Sequence, residues 1–102
     1  MKSIIMDCQN VNSEEGFWSL YVSTIKPDGA EYFGRNLDAF WDAVVGGGPG
    51  WPGDDISKII LINSDKIKSI RSGNFYVSLL KIAASINESK YSKIKIEFDS
   101  TP

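Results

Sequence analysis

Asp38 and Asp42 stand four residues apart in the stretch Asn36-Leu37-Asp38-Ala39-Phe40-Trp41-Asp42. On a helix, that spacing stacks two carboxylates on one side, where like charges repel at a cost of about 0.2–0.5 kcal/mol. Paired carboxylates are the groups of glycoside hydrolysis. That reaction also needs a sugar cleft, which an exposed helix face on a domain this small seldom provides. The chain has no histidine, which removes the commonest general base, the usual triads and the most frequent metal ligand. Cys8 is its single cysteine, so neither an internal disulfide nor a zinc site can form from thiols. Asp7 and the pair Asp54-Asp55 lack the ligand spacing of a calcium loop. The residues therefore read as a protein that is not an enzyme and holds no cofactor. Its acidic pair reads as a face offered to something basic.

The elements that must position this pair follow from periodicity. Leu37, Phe40, Trp41, Val44 and Val45 fall at i, i+3, i+4, i+7 and i+8, one apolar stripe of a helix over 37–45. Tyr32-Phe33-Gly34-Arg35 before it reads as a tight entry turn. Bland readings exist beside the functional one. Trp41 lies on the stripe and fits a core. Asp38 sits in the first turn, where the helix dipole favours an acid. Tyr32 and Phe33 fit a turn closed onto the core. Asp42 lies beyond that turn and gains nothing from the dipole.

Residues 3–8 read as a first strand. Asn12 or Ser13 then starts a helix, with Glu14 and Glu15 in its first turn and a capping box available from Asn12 and Glu15. Phe17, Leu20, Tyr21, Thr24 and Ile25 form its inner face, and Pro27 ends it. Gly46-Gly47-Gly48-Pro49-Gly50-Trp51-Pro52-Gly53-Asp54-Asp55 is a flexible loop pinned in part by Trp51. It follows a helix and precedes a strand, the reverse of a phosphate loop. Residues 58–63 form the clearest strand. Their continuous apolar run predicts burial on both faces in a parallel sheet covered by helices. A short helix is expected within 64–72 and a longer one over 74–87, with Phe75, Leu79, Ile82, Ala83 and Ile86 inward. Residues 93–99 alternate, which predicts a last strand with one wet face at a sheet edge. The order predicts one α/β domain over residues 1–102, a small three-stranded parallel sheet flanked by three or four helices.

The net charge of −2 conceals an asymmetry. Residues 1–55 carry nine acids against Lys2, Lys26 and Arg35, a balance of −6, and residues 56–102 carry four acids against eight bases, a balance of +4. The acidic half points to a basic partner and away from nucleic acid. The lysines of the second half are spread over several elements without interleaved aromatics, which makes direct RNA binding a weak alternative. No run approaches the roughly 18 apolar residues of a membrane span. Asp7 follows too few apolar residues for a secretory signal. With its lone Cys8, expected as a small buried residue at a strand end, the chain fits a reducing cytoplasm.

The string from Tyr32 to Asp42 resembles the barstar family of ribonuclease inhibitors. In that family an aromatic-aromatic-glycine turn leads into Asn-Leu-Asp-Ala-hydrophobic-Trp-Asp, on the helix that enters a ribonuclease active site. The resemblance implies the same α/β fold and a one-to-one complex with a basic ribonuclease or ribonuclease toxin, which protects the producing cell. It implies a partner-binding surface of Tyr32, Phe33, Gly34, Arg35, Asp38, Trp41 and Asp42. Asp42 matches the acid that occupies the enzyme's phosphate site, Asp38 a second acid of the same helix, and Tyr32 the aromatic that packs on the catalytic region. Arg35 stands where the family often has an acidic or polar residue, and Arg71-Ser72-Gly73-Asn74 offers no counterpart to a further family acid. The alternatives are an immunity protein of this fold against a toxin that is not a ribonuclease, and a generic protein-interaction module.

Overall fold

Isoleucine recurs in the first two strands and aromatic Phe98 joins Ile96 in the third, because branched and aromatic side chains suit a pleated surface packed on one side. The computed structural model describes residues 2–27 and 29–99. Strand β1 is Lys2–Asp7, helix α1 Glu14–Ile25, helix α2 Leu37–Gly46, strand β2 Ile56–Ile62, helix α3 Asn74–Glu88 and strand β3 Lys95–Asp99. The sheet order is β1-β2-β3, with both pairings parallel. This is the expected α/β architecture of a three-stranded parallel sheet with three helices. Lys2 pairs with Ile56 and Ser3 with Lys58, so β1 carries an irregularity at its start.

The continuous apolar run of β2 predicts two covered faces, and the structure corrects this. Ile59 and Leu61 are buried together with Met6 and Ile96, whereas Ile60 and Ile62 are half-exposed. The register aligns Ile60 with Ile5 and Glu97, and Ile5 is 55% exposed. Lys58 pairs with Glu97 at 3.2 Å on this open face. The reason is topological. Strands added in one direction through right-handed crossovers place both connections on the same side of the sheet. The central strand is still apolar on its open side because its two neighbours flank it.

Several boundaries shift. Ser13 alone caps α1, accepting from the Gly16 N–H at 3.0 Å, in place of a capping box from Asn12. Trp18 joins Phe17, Tyr21 and Ile25 in the core, while Leu20 and Thr24 are only half-buried. The expected short helix at 64–72 is two separate 3-10 turns, Ser64–Ile67 and Ile70–Gly73. Arg71 and Ser72 are left-handed, which no continuing helix permits. On α3, Phe75, Leu79, Ala83 and Ile86 are buried as expected, and Ile82 is half-buried. Strand β3 begins at Lys95 and lies at an edge. Its edge is occupied by the Asn87 amide, which donates to the Ile96 carbonyl at 2.9 Å and accepts from the Ile96 N–H at 2.8 Å. A side chain thus satisfies backbone groups that would otherwise invite another strand.

Candidate functional site

An asparagine sets the entry to α2. The Asn36 Oδ1 accepts from the Ala39 N–H at 2.8 Å, which satisfies one of the free donors of the helix start. Its Nδ2 donates back to the Gly34 carbonyl at 3.2 Å, so one side chain ties the turn to the helix. Arg35, between them, has φ of +51°, a left-handed conformation costing roughly 1–2 kcal/mol in a residue with a Cβ. Its Nη1 donates to the Ser19 Oγ of α1 at 3.3 Å.

Tyr32 and Phe33 diverge. Tyr32 is 75% exposed, whereas Phe33 is buried. The Phe33 ring lies 5.7 Å from that of Trp18 and 5.3 Å from that of Tyr21, inside the aromatic cluster that also holds Phe17, Phe40 and Phe75. Phe33 also lies against the glycine-rich loop. A Cβ on Gly50 would fall 2.7 Å from the Phe33 Cδ1, and Gly50 has φ of +97°, so the backbone approaches this closely only at a glycine. The Tyr21 hydroxyl donates to the Gly50 carbonyl at 2.8 Å. The loop is therefore fastened at Gly50 as well as at the half-buried Trp51, beside the turn that carries Tyr32.

Helix α2 has a packed face and an exposed face. Phe40, Ala43 and Val44 are buried, while Leu37, Trp41 and Val45 are half-buried, so the packed stripe is centred one position from the expected one, with Ala43 inside it. Asp38 and Asp42 are both exposed on the other side. Among the described residues neither carboxylate is hydrogen-bonded to a donor or paired with a base. Trp41 lies between the faces, and its Nε1 donates to the Ser85 Oγ of α3 at 3.1 Å. Sequence reasoning missed Ser85 and Ser19, since nothing local marks contacts across 44 and 16 residues. The capping role of Asn36 was also missed, although an asparagine directly before an apolar stripe is the signal for it.

Of the seven expected residues, Tyr32, Gly34, Arg35, Asp38 and Asp42 share the exposed surface of one turn and one helix. Trp41 is half-available, and Phe33 supports the turn from inside. The described residues enclose no cavity. Cys8 is fully buried, and burial raises its thiol from an ordinary 9.0 to about 11, so it is a poor nucleophile at neutral pH. Among the described residues no three His, Cys, Asp or Glu side chains converge as metal ligands, and no helix is long and apolar enough to cross a membrane. What remains is an acidic helix face beside the exposed Tyr32, backed by the core face of α2.

The family model described as barstar (barnase inhibitor) matches residues 1–99. The chain belongs to the barstar family. A comparison with curated proteins returns no match. The barstar-family match covers all three strands and all three helices, so the agreement extends well beyond the string from Tyr32 to Asp42. The family is one of inhibitors, and an inhibitor needs no catalytic machinery, in keeping with a surface that presents charge and shape.

Proposed function

We propose that this barstar-family protein binds a ribonuclease and blocks its active site with the exposed face of α2 and its entry turn. The observation that carries the reading is the uncompensated pair Asp38 and Asp42, exposed on a helix whose opposite face is core. A ribonuclease gathers cations where the RNA phosphates sit. In the proposed complex Asp42 occupies that phosphate site, Asp38 extends the acidic contact and Tyr32 packs on the catalytic region. Gly34 and Trp41 complete the surface, and Phe33 holds the turn from beneath. Arg35, the one base of the turn, faces a part of the partner that is not cationic. Charge complementarity speeds encounter and disfavours wrong partners, while a few desolvated charges and aromatics supply most of the affinity. Inhibition is occupancy and involves no bond chemistry. The protein acts in the cytoplasm of the cell it protects.

The test is a titration of barnase, and of any small basic ribonuclease encoded beside this gene, against a fluorogenic RNA substrate. Cleavage should fall to zero at one equivalent, and gel filtration should show a one-to-one complex. Undiminished cleavage by every such enzyme with the protein in excess would overturn the proposal.

A further inference from the structure

The run Gly46-Gly47-Gly48 is not a phosphate loop, yet its three glycines meet two different requirements. Gly47, at φ +74°, supplies the left-handed cap of α2, and its N–H donates to the Ala43 carbonyl at 3.2 Å. A Cβ there would meet open space. Gly46 and Gly48 instead bracket the Asp42 carboxylate. A Cβ on Gly46 would lie 3.1 Å from the Asp42 Oδ1, and one on Gly48 would lie 2.5 Å from the Asp42 Oδ2. The Gly48 N–H also donates to the carbonyl of Asp42 at 3.3 Å, which folds the chain back over that residue. Gly48 is not among the positive-φ glycines, so the backbone does not demand glycine there; only the space beside Asp42 does.

We propose that Gly48 is a positioning residue whose missing side chain holds the Asp42 carboxylate in its binding orientation. The inference rests on the reading of Asp42 as a partner-binding acid. A buried charge pair is worth its full energy only in good geometry, since both ions lose their water on binding. A Cβ at position 48 would collide with the Asp42 Oδ2 while standing 3.4 Å from its Cγ, so the carboxylate must turn or swing out of its place. Gly46 contributes the same clearance more weakly, because the carboxylate can give by a few tenths of an ångström.

The experiment combines two readouts on Gly48→Ala, Gly46→Ala, Asp42→Ala and the double variant Gly48→Ala/Asp42→Ala. In the free protein, three-bond NMR couplings report the Asp42 χ1 rotamer. Together with the Asp42 side-chain carboxyl carbon shift they report where the carboxylate lies; Gly48→Ala should displace it, and Gly46→Ala should displace it less. By calorimetry with barnase, Gly48→Ala should weaken binding by about tenfold or more in the parent, and have no effect in the Asp42→Ala background. Unchanged Asp42 couplings and an unchanged carboxyl shift in Gly48→Ala overturn the inference, as does an equal loss of affinity in both backgrounds. A displaced carboxylate in a protein whose affinity does not depend on Asp42 sustains the positioning and overturns the binding role of Asp42. The two failures are therefore distinguishable.

Discussion

Asp42→Ala and Phe40→Ala, two residues apart on one helix, should have opposite effects. Asp42 is exposed and repels Asp38 one turn away, a cost of about 0.2–0.5 kcal/mol. Alanine is also the better helix former, by up to ~0.7 kcal/mol. Asp42 lies past the first turn, so no dipole benefit is lost. Asp42→Ala should therefore stabilise the fold by about 0.5–1 kcal/mol, and raise Tm by roughly 2–8 °C in a domain of this size. In a complex, the same change leaves the partner's cations buried without an anion, which costs about 2–5 kcal/mol. Phe40 is 2% exposed, with its ring 5.7 Å from that of Trp18 and 5.4 Å from that of Tyr21. Phe40→Ala should cost about 3–5 kcal/mol of stability through the cavity left behind. Its effect on affinity, measured where it remains folded, should be small. Urea melts give the first quantity and calorimetry against barnase the second. A gain in stability with a loss of affinity is the signature of a residue kept for binding. An Asp42→Ala protein that melts earlier and binds normally would refute the reasoning.

Tyr21→Phe removes the hydroxyl that holds the buried Gly50 carbonyl and should cost about 1–3 kcal/mol; amide exchange should then quicken across residues 46–53 ahead of the rest of the chain. Burial raises both Cys8 and Tyr21 above their ordinary values, so the unfolded chain ionises first and stability should fall as pH rises from 9.0 towards about 11, seen as a declining urea midpoint. In the same window Cys8 should resist alkylation until the protein unfolds. If the Asp38/Asp42 face steers a basic enzyme, stopped-flow association should slow as salt is raised while dissociation changes little; a rate independent of salt would assign steering to another surface.

Much of this arrangement is legible in the residues because it depends on local rules. The apolar stripes of α2 and α3 appear at helical spacing, and Asn36 precedes α2 where a capping oxygen is needed. The Asp38/Asp42 spacing is a property of the helix alone, whatever surrounds it. The short helix expected within 64–72 is present as the 3-10 turn Ser64–Ile67, but the left-handed Arg71 and Ser72 inside the second turn carry no sequence signal, since neither is a residue type that favours that conformation. The reading of β2 errs for a different reason: periodicity reports that a residue is apolar, not whether neighbouring strands or a helix cover it.

By itself, the sequence determined the element order, the apolar stripes of the helices to within a position or two, and the acidic pair, since each follows from side-chain chemistry repeated at the period of a helix or strand. It also determined what the chain lacks for histidine or thiol chemistry. The tertiary structure alone decided that the helices cover one face of the sheet, that Phe33 turns inward while Tyr32 turns outward, and that Trp41 reaches Ser85. It also decided that Gly50 lies beneath Tyr21 and Phe33, and that Gly48 leaves room for the Asp42 carboxylate. Those contacts join chain segments through strand order and close packing, and a pattern read along one segment carries no record of what another segment brings against it.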